Sequence, residues 1–261
     1  THSIYSVQPT YTRIFGGHSV RVGYDLRIYR ESEVNPGAAA GRYTFEGTYT
    51  RSSSTAGNQF GQDIASFLLA IPSGGTVARN AQPLNTTPYH GVFIQDDWRV
   101  GGKLTLNLGL RYEYEGATYD SQNRNVRGFD PAAAIAINAA ARAAYAASPI
   151  PELPVAAFDP KGGVQFASDD HRGFFDADSS NFQPRAGFAY SLNDKTVVRG
   201  GWGIYTVPAI IFGNFQPGFS QTTPVVISND NGLTFRGNLS NAFVDGVLEP
   251  AGSALGANTF L

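Results

Sequence analysis

The chain has 261 residues, 42% hydrophobic but only 15% charged, with 30 Gly, 13 Tyr, 18 Phe and a formal net charge of −2. Low charge beside so much Gly and aromatic side chain suits many strands whose two faces both avoid dense charge, and argues against a helical bundle. Without a basic excess to neutralise phosphates, no nucleic-acid partner is expected, and without Cys there are no disulfides, thiolate metal sites or Cys nucleophiles.

Period-two alternation carries most of the information in chain order. Residues 4–14 form a weak strand candidate, followed by a tight turn at Gly16-Gly17. Val20, Val22, Tyr24, Leu26 and Ile28 then share a face opposed by Arg21, Gly23, Asp25 and Arg27. After a long connection at about 31–40, Tyr43, Phe45 and Tyr49 oppose Arg42, Thr44, Glu46 and Thr48, which predicts another strand. Gln62 to Ala70 reads as a helical turn on the short-turn side, packing its apolar residues against the rim there. Residues 75–82 are a second weak strand candidate, and Val92 to Val100 alternates with an interruption at Asp96.

Past a turn at Gly101-Gly102 comes the cleanest pattern. Leu104, Leu106, Leu108, Leu110, Tyr112 and Tyr114 face one way, and Thr105, Asn107, Gly109, Arg111 and Glu113 the other. Eleven unbroken residues exceed the globular strand mode of about 5–6 and match the roughly 9–11 that a tilted strand needs to cross a bilayer. A long connection at about 115–181 follows, containing an Ala-rich helix predicted over Pro131 to Ser148, with Asp130 placed to cap it. Phe182, Ala186, Phe188, Tyr190 and Leu192 then oppose Gln183, Arg185, Gly187 and Ser191. A turn at Asn193-Asp194 leads to Val198, Trp202 and Ile204, opposed by Arg199, Gly201, Gly203 and Tyr205, with a long connection after 206.

Tight turns alternating with long connections are the layout of outer-membrane β-barrels, whose short turns are periplasmic. The predicted fold class is therefore all-β: an antiparallel transmembrane β-barrel segment, with outer-membrane lipid against its apolar face. No apolar run reaches the roughly 18 residues of a transmembrane helix, and the mean hydropathy of −0.19 fits strands with one wet face. On this reading Arg21, Asp25, Arg27, Glu46, Asn107, Arg111, Glu113, Arg185, Arg199 and Tyr205 face the lumen, either bracing strands and a plug or lining a substrate path. Trp98 and Tyr190 form a girdle near the periplasmic rim, and Tyr112, Tyr114, Phe182 and Trp202 one toward the outer rim. A soluble sandwich would also alternate, with Leu104 to Tyr114 in its core.

Catalytic and metal chemistry find little to build on. Asp96 and Asp97 are adjacent, so a strand sends them to opposite faces. Asp169-Asp170-His171 is an isolated loop cluster, and Asp176 to Asn181 lacks the Gly and distal Glu of a calcium loop. No Gly-x-Ser-x-Gly elbow accompanies the four His. No enzyme activity, metal or cofactor is expected.

Several stretches together resemble the barrel of TonB-dependent outer-membrane receptors, in particular the Oar-like group with an N-terminal carboxypeptidase-regulatory-like domain. They are Phe93 to Val100, Leu104 to Glu113, Phe182 to Tyr190 and Val197 to Tyr205, with Asp63 to Leu69 and Leu239 to Gly256 similar as well. The resemblance covers most of the chain, in matching order and spacing. It implies a barrel of about 22 strands, of which eight or nine can be drawn, with about 115–181 extracellular. It also implies a plug, a signal peptide, a closing C-terminal strand and a TonB-contact motif, all expected outside residues 1–261 of a longer protein. The implied function is energised movement of an unidentified ligand across the outer membrane, with the TonB complex as partner. Alternatives are a structural or surface-display and adhesion barrel without active transport, and a soluble carbohydrate-binding sandwich.

Overall fold

The computed structural model describes residues 1–53, 55–207 and 216–259. Among them the strands in chain order are β1 (His2–Val7), β2 (Thr10–Phe15), β3 (His18–Ser32), β4 (Arg42–Thr44), β5 (Gly74–Asn80), β6 (Leu84–Arg99), β7 (Leu104–Glu115), β8 (Tyr119–Asp120), β9 (Val126–Asp130), β10 (Gly163–Phe166), β11 (Asn181–Asn193), β12 (Thr196–Gly203) and β13 (Ser220–Pro224). Two α-helices join them, α1 (Gln62–Leu68) and α2 (Asn138–Ala147). The fold is all-β and antiparallel. Two compact units divide the chain: Thr1–Glu33, Pro83–Gly128 and Phe166–Phe215 make the first; Val34–Gln82, Phe129–Gln165 and Gln216–Leu261 make the second.

The first unit is an eight-stranded antiparallel sheet in the order β1-β3-β6-β7-β11-β12, with β2 also on β3 and β8 on β6. β1 and β2 lie along β3 in one unbroken register, Val7 opposite Leu26 and Thr10 opposite Gly23. They are one strand interrupted at Pro9, which has no N–H to donate, although its carbonyl still accepts from the Tyr24 N–H at 3.1 Å. The weak sequence signal over 4–14 is thus an edge strand weakened by one proline.

Register runs without a slip from β3 through β6 and β7 into β11. Three tight turns, after Phe15, Arg99 and Asn193, fall at one end of this ladder. The connections 33–83 and 116–180 leave from the other end, as the alternation of short and long links predicted. The expected long connection after 206 falls largely on residues 208–215, outside those described. Among the described residues the sheet is open, with β1–β2 and β12 as its edges.

Constant register turns sequence parity into two faces. On one face Val20, Val22, Val92, Ile94, Leu108, Leu110, Phe188 and Trp202 lie in rows across the strands. This face is bare: Val92 is 51% exposed, Ile94 50% and Trp202 63%. Tyr89 and Val126 are the buried apolar residues of the unit among those described. A sandwich would bury these rows against a second layer; here they remain on the surface.

On the opposite face large side chains lie over glycines of neighbouring strands. Gly23 pairs directly with Phe93, whose ring edge lies 2.3 Å from where a Cβ on Gly23 would stand.

The second unit corrects several sequence expectations. The strand expected over Tyr43 to Tyr49 ends at Thr44, and Gly47–Tyr49 is a 3-10 turn. The cause is the Glu46 carbonyl, which accepts from the buried Ser66 hydroxyl at 2.7 Å instead of from a ladder. β5 pairs with β4 on one side and β13 on the other in a separate three-stranded sheet. Residues 33–83 are therefore one long connection, and α1 belongs to the long-connection end of the chain path, not to the short-turn side. Around the small sheet, Val225, Ile227 and Ala242 form a core packed by Tyr43, Tyr49, Ile71 and Phe243.

The Ala-rich helix begins at Asn138, not Pro131. Upstream amides are engaged elsewhere: Ala132 donates to the Asp130 carboxylate at 2.8 Å and Ala136 to the Asn258 side chain at 2.7 Å. Asp130 thus closes a local turn instead of capping the helix.

Replacing Gly23 by Val forces the Phe93 ring off its seat and should cost about 1–3 kcal/mol. Urea unfolding of the full-length protein in lipid vesicles measures this, and the double variant Gly23→Val/Phe93→Ala should recover part of the loss.

Candidate functional site

The polar face of the sheet is built row by row. Its central row aligns Gly23, Phe93, Arg111 and Gln183, and the next aligns Asp25, Gly91 and Glu113. A third pairs Arg27 with Tyr89. Consecutive odd-numbered positions on each strand thereby converge on Arg111.

The Arg111 guanidinium donates to Glu113 Oε1 at 2.5 Å, Tyr89 Oη at 2.8 Å and Asp25 Oδ2 at 3.2 Å. The Tyr89 hydroxyl donates in turn to Glu113 Oε1 at 2.6 Å. Arg27 grips Asp25 in a bidentate pair at 2.9 and 2.8 Å and lies over the Tyr89 ring at 5.4 Å. Thr206 donates to Glu113 Oε2 at 3.2 Å and accepts from Gln183 at 2.5 Å. Two cations, two carboxylates and their hydrogen-bonding neighbours thus tie together β3, β6, β7, β11 and the segment after β12. Charge-assisted bonds of this kind are the strong ones, and a pairing with one carboxylate per guanidinium leaves no net charge in the cluster.

Toward the tight turns the face changes character. Gly109, Gly187, Gly201 and Gly203 lie beside Gln95, Asn107 and Arg185 in two adjacent rows. With no side chains at four positions, the face sinks into a hollow of about 380 Å³ whose polar border includes Gln95, Asn107, Arg185 and Tyr205. Arg185 reaches Gln95 at 3.2 Å, while its Nε has no hydrogen-bond partner among the described residues. Asn107 donates to Asp97 at 2.6 Å.

Of the residues expected toward the lumen, Arg21, Asp25, Arg27, Asn107, Arg111, Glu113, Arg185 and Arg199 share this face. Tyr205 follows β12 and closes over Gly203. Glu46 lies off the large sheet, in the second unit, because its strand stops at Thr44. Tyr89, Gln183 and Thr206 are missing from the expected set. Gln183 was legible by parity, whereas Tyr89 precedes the stretch whose alternation is visible and Thr206 lies past its strand.

The aromatic residues lie on the bare face. Trp98 stacks on His18 at 5.0 Å one residue from a turn, and Tyr190 pairs with Leu104 near the same end. Tyr112 packs on Phe182 at 4.8 Å toward the far end, where Tyr114 contacts His90 at 6.2 Å. Trp202 is near the far end of its own strand but pairs with Ala186, at the level of Leu108.

Other acidic residues have local roles. Asp96 and Asp97 take opposite faces, Asp96 with His18 at 2.6 Å on the bare one. At the root of the 116–180 connection, Asp120 accepts from the backbone of Leu84, Gln122 and Arg124 and from the Arg124 guanidinium. Burial alone would raise its carboxyl; these donors hold it below the ordinary carboxylate range. Asp169 accepts from Asn123, Asp176 pairs with Arg127 and Asp178 with Ser180. Among the described residues no group of three His or carboxylates stands close enough to hold a metal ion.

A long amphipathic antiparallel sheet, bare on its apolar side and bonded on its polar side, is what a bilayer selects. The family model for the outer membrane beta barrel domain matches residues 1–260. The chain belongs to this family. Its place is the bacterial outer membrane, and the bare rows of this barrel domain face outer-membrane lipid. Comparison with curated proteins and with solved structures returned no match.

Removing Arg111 leaves Glu113 without its cation, while Asp25 keeps its bidentate pair with Arg27. Arg111→Ala should therefore cost about 1–3 kcal/mol in urea unfolding from vesicles, as for a partly buried charged group left short of hydrogen bonds. Arg199→Ala, at an exposed position of the same face, should stay within about 0.5 kcal/mol.

Proposed function

We propose that this domain is part of the wall of a TonB-dependent outer-membrane transporter, a protein that moves a ligand and catalyses no reaction. The observation that carries this reading is the polar face itself. A neutralised, cross-braced patch centred on Arg111 adjoins a glycine-floored hollow, as suits a wall that holds a folded plug. The resemblance of Phe93 to Val100 and Leu104 to Glu113 to TonB-dependent receptors, with the Oar-like group most similar, points the same way.

Lipid does not tolerate unpaired strand edges, so further strands must complete the cylinder. A barrel of about 22 strands is the size class that encloses a plug. In this mechanism the long connections capture the ligand, and force from the inner membrane, delivered through TonB, rearranges the plug within a wall kept rigid by the Arg111 cluster. The connections contribute a sheet and core of their own, which also favours a second reading, a display or adhesion barrel without active transport.

Full-length protein purified from outer membranes discriminates between them. The transporter should bind the periplasmic domain of TonB and remain closed to ions in a planar bilayer. Failure to bind TonB would leave the display reading, and an open, steadily conducting barrel would contradict the plug.

A further inference from the structure

Helix α1 in the second unit is built inside out. Its Ser66 faces inward, 0% exposed and donating to the carbonyls of Glu46 at 2.7 Å and Gln62 at 3.1 Å, and Thr50 donates to the Gln62 carbonyl at 2.8 Å, while Asp63 is exposed. Its apolar residues face outward. Phe60 just before it is 104% exposed, and Ile64, Phe67, Leu68 and Leu69 are 55%, 57%, 77% and 62% exposed. Gly61, the residue before the helix, has φ of 87°, a left-handed conformation that suits glycine.

In water a short helix does the opposite, turning its apolar stripe to the core. Here the anchoring bonds are polar and partly buried, centred on the fully buried Ser66, so the outward apolar face is a product of the fold and not of a loosely held segment. Only Asp63 is charged between Gln59 and Ile71. A protein partner is normally registered by a polar rim around the apolar centre, and this patch has almost none. The chain resides in the outer membrane, where the abundant partner with no polar demands is the lipid itself. A short element bearing two Phe beside aliphatic side chains matches the interfacial zone.

We propose that the outward face of α1 is seated in the lipid of the outer membrane, fastening this connection to the bilayer. The proposal rests on outer-membrane residence alone and is independent of transport. With no native Cys in these 261 residues, Leu68→Cys and, separately, Phe60→Cys can each carry an environment-sensitive fluorophore in the full-length protein. The protein is placed in phosphatidylcholine vesicles with brominated acyl chains, with the same label at Ala251 as a control. Labels at 68 and 60 should emit to the blue of the control, lose most of their intensity to brominated lipid and resist iodide in the water. Quenching by iodide and not by bromine would put the helix in water, and protection from both would mean that protein covers it; either result overturns the proposal.

Discussion

Backbone hydrogen bonding without water is the constraint on which the large sheet depends. In hydrocarbon each unpaired N–H or C=O costs several kcal/mol, so strands that cross must keep a complete ladder. The register from β3 to β11 does this without a slip over four strands. The same regularity divides side chains by parity, so one constraint produces both the apolar face and the polar face. Pro9 shows the exception that is permitted, an interruption on an edge strand where the lost donor breaks no interior ladder.

The two faces are stabilised by different physics. Rows such as Val22, Val92 and Leu110 are only partly covered by their neighbours in the sheet and depend on lipid to cover the rest. The polar face has no dry core either, and gains its cohesion from the Arg111 cluster and from side chains laid over glycines. Phe93 over Gly23 and Arg185 over Gly109 are two cases of a large group on one strand filling the space left by its paired neighbour. Stability is thus spread along the sheet instead of gathered in a centre.

Parity made the large sheet legible from the sequence. Leu104 to Tyr114 displays its two faces in the letters alone, and the turns at Gly16-Gly17, Gly101-Gly102 and Asn193-Asp194 mark where the chain reverses. The cluster on the polar face was half visible, because parity names Asp25, Arg27, Arg111 and Glu113 but register decides which of them meet. Tyr89 and Thr206 lay beyond the visible alternation and joined only through that register. The second unit was read least well. Alternation in Tyr43 to Tyr49 looks like a crossing strand, yet the side-chain bond from Ser66 to the Glu46 carbonyl ends it, and no local pattern announces a contact twenty residues away. The Ala-rich helix was shortened for a similar reason, by the distant Asn258.

The central claim is that one face of this sheet meets lipid and the other does not. Spin labels placed singly at each position from Leu104 to Tyr114 in the full-length protein, reconstituted in lipid, test it most directly. Collision with oxygen, which concentrates in lipid, and with a water-soluble nickel chelate should alternate with a period of two, oxygen favoured at even positions. A flat profile, or nickel access at Leu108 and Leu110 equal to that at Gly109 and Arg111, would contradict it.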